Sequence, residues 1–148
     1  MKRLPMFALL ITMLLTSVTP VLADSFGTAD EAKAMLERAV TALKANKAEA
    51  LAQFTKGEGG FKDRDLYPFC GGPDGNFTAH PKLVGKSLKD LNDKAGKPLG
   101  QDIYATAKEG AISEVSFMWP RPDSTEPVQK ISFITKVGDQ VCAVGYYK

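Results

Sequence analysis

The hydrophobic period changes along this chain, and that change restricts the fold more than any other feature. Between Thr28 and about Lys56 the apolar residues Leu36, Val40, Leu43, Leu51 and Phe54 recur at the spacing of one helix face. Thr28 followed by Glu31 is a capping-box signature, which supplies partners for N–H groups that a helix start leaves open. Asn46-Lys47 is a candidate break between two helices, and Gly57, Gly59 and Gly60 end the helical stretch. Leu66–Cys70 is then a short apolar, aromatic strand, Gly71–Gly75 a turn, and Asn76–His80 its hairpin partner. Pro81–Gly100 is polar and Lys-rich and reads as short helices and loops, and Leu99–Glu109 reads as a helix stopped by Gly110. Ile112–Trp119 alternates with Val115, Phe117 and Trp119 on one face, and Lys130–Val137 alternates with Ile131, Phe133 and Thr135 on one face. Gly138-Asp139 turns the chain into a last strand, Gln140–Tyr147. Helices and strands are segregated rather than strictly alternating, so the class is α+β: a five-stranded antiparallel-type sheet with helices mainly on one face.

The start of the chain belongs outside that domain. Lys2 and Arg3 precede an apolar run from Leu4 to about Leu15, then Thr16, Ser17, Thr19 and Pro20 lead to the small residue Ala23. This is the pattern of a secretory signal peptide over 1–23, cleaved after Ala23. An apolar core of about 12 residues is shorter than the roughly 20 needed to cross a bilayer. The expectation is a soluble, unanchored domain, 24–148, in the periplasm or secreted. Of the 148 residues 19 are Lys or Arg and 17 are Asp or Glu, so losing Lys2 and Arg3 leaves 17 of each sign. A balanced charge argues against a nucleic-acid partner, and ordinary apolar content, 44%, argues against disorder. Lys82, Lys86, Lys89, Lys94 and Lys97 outnumber Asp90 and Asp93 in the polar run. They form either an anion-attracting rim or, more ordinarily, a solvated face.

Catalytic and metal chemistry finds little here. His80 is the one histidine, with no Cys/His ligand spacing around it. There is no G-x-S-x-G elbow, and Gly57-Glu58-Gly59-Gly60 lacks the Lys-Ser/Thr pair of a phosphate loop. Asp63 and Asp65 are paired carboxylates without a third ligand, a weak calcium signal. No enzyme activity, metal or cofactor is expected.

An ordered series of short motifs resembles the single Cache domain of extracytoplasmic bacterial sensors. The series runs Asp65-Leu66-Tyr67-Pro68-Phe69, a glycine turn, Ala79-His80-Pro81, Gly85-Lys86, and Asp93-Lys94-Ala95-Gly96-Lys97. Trp119-Pro120-Arg121-Pro122, Lys130-Ile131-Ser132-Phe133 and the ending Val141–Tyr147 complete it. The resemblance covers about Ala29 to Tyr147. It implies a PAS-like fold: a central five-stranded antiparallel-type sheet, a long N-terminal helix, short connecting helices, and a pocket between sheet and connecting segments. It implies binding of a small organic molecule, such as a short carboxylate or an amino acid, and a part in extracytoplasmic signalling through a membrane receptor or histidine kinase. The alternative is a non-catalytic interaction or structural module on the same fold without a working pocket. Gln140 stands where the family usually has Trp, and the expectation is a chain without the family's second membrane helix and signalling domain.

Within that pocket, Arg121 suits a carboxylate because its guanidinium can bond both oxygens. Phe117, Trp119, Tyr104 and Tyr67 are candidates for the apolar wall, Lys130 for a second charge, and the resemblance puts His80 near the pocket. The same residues also fit plain core and solvated loop. Cys70 and Cys142 are the two cysteines, on the first and last strands. The strand order that the resemblance implies, 2-1-5-4-3, makes those strands neighbours, and export favours oxidation, so a disulfide is expected. Register decides between a bridge and two separate buried thiols, because a slip of one residue sends the side chains to opposite faces.

Overall fold

A computed structural model describes residues 25–148; the expected signal peptide and its cleavage position lie outside the described residues. Helix α1 spans Ala29–Ala45 and opens with the expected capping box, Thr28 N–H donating to Glu31 Oε2 at 2.8 Å. Asn46 closes α1 and caps α2, Lys47–Lys56, and Gly57 ends α2 in the left-handed region at φ 72°. The strands are β1 (Pro68–Gly71), β2 (Phe77–Ala79), β3 (Ser113–Pro120), β4 (Pro127–Val137) and β5 (Gln140–Tyr147), with α3 (Leu99–Thr106) between β2 and β3. They form one sheet in the order β2-β1-β5-β4-β3, with every neighbouring pair antiparallel.

Both faces of the sheet are covered, the helices mainly on one as expected, and the other by the short α3 with turns of 81–98. On one face α1 and α2 lay Met35, Leu36, Leu43 and Phe54 against Cys70, Phe133, Cys142 and Val144. Val40 is only half-buried, and the small residues Ala32 and Ala39 complete the α1 stripe in its place. On the other face Phe69, Phe117, Ile134 and Ala143 meet Leu88, Leu99 and Ile103. Strand β5 explains why: the run Val141-Cys142-Ala143-Val144 is apolar at every position and buried at every position. A strand of that kind needs cover on both sides.

Residues 81–98 form turns, not the short helices expected there. The buried Asp93 carboxylate explains the difference over 93–97. It accepts N–H bonds from Ala95 and Lys97 within the turn and from Met118 on β3, each at 2.8 Å. Local carboxylate-to-backbone bonding of this kind competes with helix formation. It also fastens the turn to the sheet over the cavity described below.

The register question has a definite answer. Cys70 and Cys142 lie directly opposite each other across β1 and β5, both on the α1 face, and are joined by a disulfide with a Cα–Cα distance of 4.1 Å.

Candidate ligand pocket

The strand pleat aims one set of side chains away from α1. Tyr67 and Phe69 at β1, Phe117 and Trp119 on β3, and Lys130 on β4 alternate with residues that face the helices. With Phe77, His80, Leu88, Leu91, Leu99 and Ile103 they line a small inner cavity whose central void is about 20 Å³. As packed, that is room for a molecule little larger than water, so an organic acid enters only when lining side chains move apart.

Lys130 is the unusual lining residue. It is 1% exposed, and its ammonium donates to Tyr67 Oη at 3.2 Å. It lies over the Tyr67 ring at 4.4 Å and the Tyr147 ring at 4.7 Å from the centroids. Among the described residues it has no ion-pair partner. Burial lowers its pKa to about 7, with Asp65 acting against that shift. The same burial pushes the Tyr67 phenol up to about 12 and raises Tyr147 well above the ordinary tyrosine value.

His80 stands edge-on to Phe77 and Tyr67, with centroids 5.1 and 5.5 Å away. Its Nδ1 accepts the Lys82 backbone N–H at 2.9 Å. Burial first, then the charges of Lys130 and Lys82, lower its pKa to about 4. The imidazole is therefore neutral at pH 7 and carries its proton on Nε2.

Five of the seven expected site residues thus surround one cavity: Tyr67, His80, Phe117, Trp119 and Lys130. Tyr104 and Arg121 do not line it. Tyr104 donates its hydroxyl to the Gly72 carbonyl at 2.7 Å and braces α3 against the end of β1. Arg121 lies between the rings of Phe26 and Tyr147, 3.8 and 4.7 Å from their centroids, and donates to Asp65 Oδ2 at 2.8 Å. The other Asp65 oxygen accepts the Gly27 N–H at 2.7 Å. Asp65 is 5% exposed, so this is a largely buried pair. Asp63 bonds Arg64 instead, so the two carboxylates do not converge, and among the described residues no group of three potential ligands could hold a metal.

Asp65 is the residue whose role the sequence hid. Its carboxylate is taken up by Arg121 and Gly27, and this leaves Lys130 nearby without a direct counterion. A sequence-level signal existed only in the buried-looking Asp-Leu-Tyr-Pro-Phe run.

Gly145 makes room for Lys130. A Cβ at Gly145 would lie 2.5 Å from Lys130 Cε and 2.3 Å from Ser132 Oγ, with the Ile131 carbonyl at 3.1 Å. Ser132 Oγ is itself fully buried and without a hydrogen-bond partner among the described residues. Gly145→Ala is expected to displace the lysine arm and to destabilise the domain by about 1–3 kcal/mol, the usual cost of overpacking. Thermal unfolding measures it; an unchanged midpoint would mean that the arm swings aside freely.

Comparisons with known proteins agree with this architecture. The Cache domain family model matches residues 31–146. The chain resembles the crystal structure of a methyl-accepting chemotaxis protein from Vibrio parahaemolyticus, with 26% identity and a TM-score of 0.65 over 80% of this chain and 86% of that one. A periplasmic sensor domain of a chemotaxis protein superposes with a TM-score of 0.60 at 25% identity, over 80% of this chain and 88% of the other. A Cache chemosensory domain described for carboxylic acid recognition shares the fold, with a TM-score of 0.56 at 19% identity over 78% of this chain and 84% of the other. In sequence, 56 residues covering 38% of this chain are 34% identical to the methyl-accepting chemotaxis protein McpP of Pseudomonas putida, a stretch that spans 10% of that protein's length. Among the described residues no helix is long and apolar enough to cross a membrane. With a family model matching from within α1 to the penultimate residue of β5, the chain belongs to the Cache domain family.

Proposed function

We propose that this domain is a non-catalytic, extracytoplasmic sensor module that binds a short organic acid in the inner cavity, its carboxylate on Lys130. One observation carries the reading: a fully buried ammonium in an apolar cavity, without a carboxylate in contact. A buried charge of this kind is costly unless paired. A ligand carboxylate is the missing counterion, with Tyr67 Oη and the protonated Nε2 of His80 as further donors. The anchor is thereby Lys130 rather than Arg121, whose charge Asp65 already neutralises. Phe69, Phe117 and Trp119 form the apolar wall that selects a short alkyl group. The chemotaxis relatives support a signalling role, with a membrane receptor or histidine kinase as the partner that reads the bound state.

The competing reading, a PAS-like interaction module without a working pocket, draws on the small central void. Titration calorimetry with acetate, propionate and pyruvate separates the two. The sensor reading expects saturable binding that weakens as the chain lengthens beyond a few carbons. No heat and no thermal shift with any short monocarboxylate at millimolar concentration would leave the interaction module standing.

A further inference from the structure

A second, larger recess opens outside the inner cavity and meets it at Tyr67, His80 and Trp119. Its volume is about 490 Å³, within the usual range for small-molecule sites of roughly 300–1,000 Å³. Four lysines reach it from separate parts of the chain: Lys56 at the end of α2, Lys62 in the following loop, Lys82 after β2, and Lys94 in the turn that Asp93 fastens. All four are exposed, and among the described residues none is in an ion pair. Arg64 and Arg121 also line the recess, but Asp63 with Glu31 and Asp65 neutralise them. The one acidic lining residue is Asp123.

This concentration of charge is local. From residue 24 onward the chain carries as many acidic as basic residues, so nothing in the overall balance supplies a basic surface. Four like charges around one concavity repel one another, and a recess with low-dielectric walls focuses their field. Apolar surface is present as well, from Trp119, Pro81 and Pro122, with Lys94 lying 5.6 Å from the Trp119 ring centroid. Asp123 offsets one lysine and a singly charged acid a second, which leaves two uncompensated. The site fits a small molecule with several acidic groups and a compact carbon frame.

We infer that this outer recess is a second binding site, specific for a multiply charged small anion of the di- or tricarboxylate class. It lies beyond the monocarboxylate reading of the inner cavity and stands independently of it.

Citrate is the probe, added to the purified domain with its disulfide intact and followed by calorimetry and by backbone amide NMR shifts. Binding is expected at low ionic strength, with shifts at Lys62, Lys82 and Lys94, and with strong weakening in about 1 M NaCl, where the Debye length falls to about 3 Å. Lys56→Glu combined with Lys62→Glu, two recess lysines whose charges do not act on His80, should weaken citrate at least about tenfold. Lys44→Glu with Lys136→Glu, two exposed lysines away from the recess, should leave it unchanged. Propionate affinity should be the same in both double variants, so loss of propionate binding alone tests the inner cavity and not this site. Three results would overturn the inference: no citrate binding at millimolar concentration, citrate affinity equal in the two double variants, or association with phosphatidylglycerol vesicles in place of citrate binding.

Discussion

Lys130→Met is expected to weaken recognition of a short carboxylate and, in the same protein, to raise the melting temperature. The two effects share one cause. In the free domain the lysine is a buried cation held by a phenol and two aromatic faces, without a carboxylate in contact. Methionine fills a similar volume without charge, and replacing buried charged groups by apolar ones of like shape is often neutral or stabilising by about 1–4 kcal/mol. For a domain of this size each kcal/mol moves the melting temperature by about 3–5 °C. The bound state loses a charge-assisted hydrogen bond worth about 1.5–3 kcal/mol, or roughly 10- to 150-fold in affinity. A variant that binds as tightly as the parent, or that melts well below it, removes Lys130 as the anchor.

The pH dependence has a definite sign. Lys130 gives up its proton near pH 7 in the folded domain and near 10.5 in the unfolded chain. Between those values the unfolded chain holds more protons, so this residue's contribution to stability rises with pH across the window. The cost of the buried charge is complete below pH 7. Ligand binding runs the other way. An anion needs the charged lysine, so above pH 7 binding must draw a proton from solution, and affinity falls by up to about tenfold per pH unit. Calorimetry in two buffers of different ionisation heat measures that proton uptake directly. Lys130→Met should flatten both profiles.

Reduction of the Cys70–Cys142 bridge is expected to lower stability by about 4 kcal/mol. The two residues are 72 apart in sequence, and the chain-entropy treatment of a loop that long gives a loss of this size. The bridge is fully buried between α1 and the sheet and clamps β1 to β5. Strand β1 carries Phe69 and follows directly on Tyr67, while β5 pairs Tyr147 with Lys130, so the clamp also fixes Tyr67 against the lysine. Urea unfolding with and without reductant, and of the double variant Cys70→Ala with Cys142→Ala, measures the effect. Carboxylate affinity should weaken along with it. Equal urea midpoints with both thiols open to alkylation after reduction would show that the sheet holds its register without the bridge.

Much of the architecture was legible because it rests on local chemistry. The capping box at Thr28, the break at Asn46, the left-handed glycine at Gly57 and the turn at Gly138-Asp139 each satisfy a backbone requirement within a few residues. The alternation of Val115, Phe117 and Trp119 and the continuous apolar run in β5 set which strands pack on one face and which on both. The Cache resemblance added the strand order, and through it the disulfide. The turns around Asp93 escaped because the carboxylate is buried, bonding Ala95 and Lys97 locally and Met118 25 residues away, and burial of an Asp in a polar run is decided by the tertiary structure.

The candidate site divides along the same line. Alternation along the strands placed Phe117 and Trp119, and the family motifs added Tyr67, His80 and Lys130, because a side chain's face follows from its position in the pleat. Which cation is free to meet a ligand followed from neither. Arg121 and Lys130 read alike in sequence, each a cation at the end of or within a strand-like run. The fold brings Asp65 to Arg121 across 56 residues and leaves Lys130 buried with a phenol as its nearest polar partner. The convergence of Lys56, Lys62, Lys82 and Lys94 on one recess is of the same kind. Local patterns determine elements and faces because they are set by the period of the backbone; the pairing of charges depends on which segments the packed core brings together, and only the tertiary structure decided that.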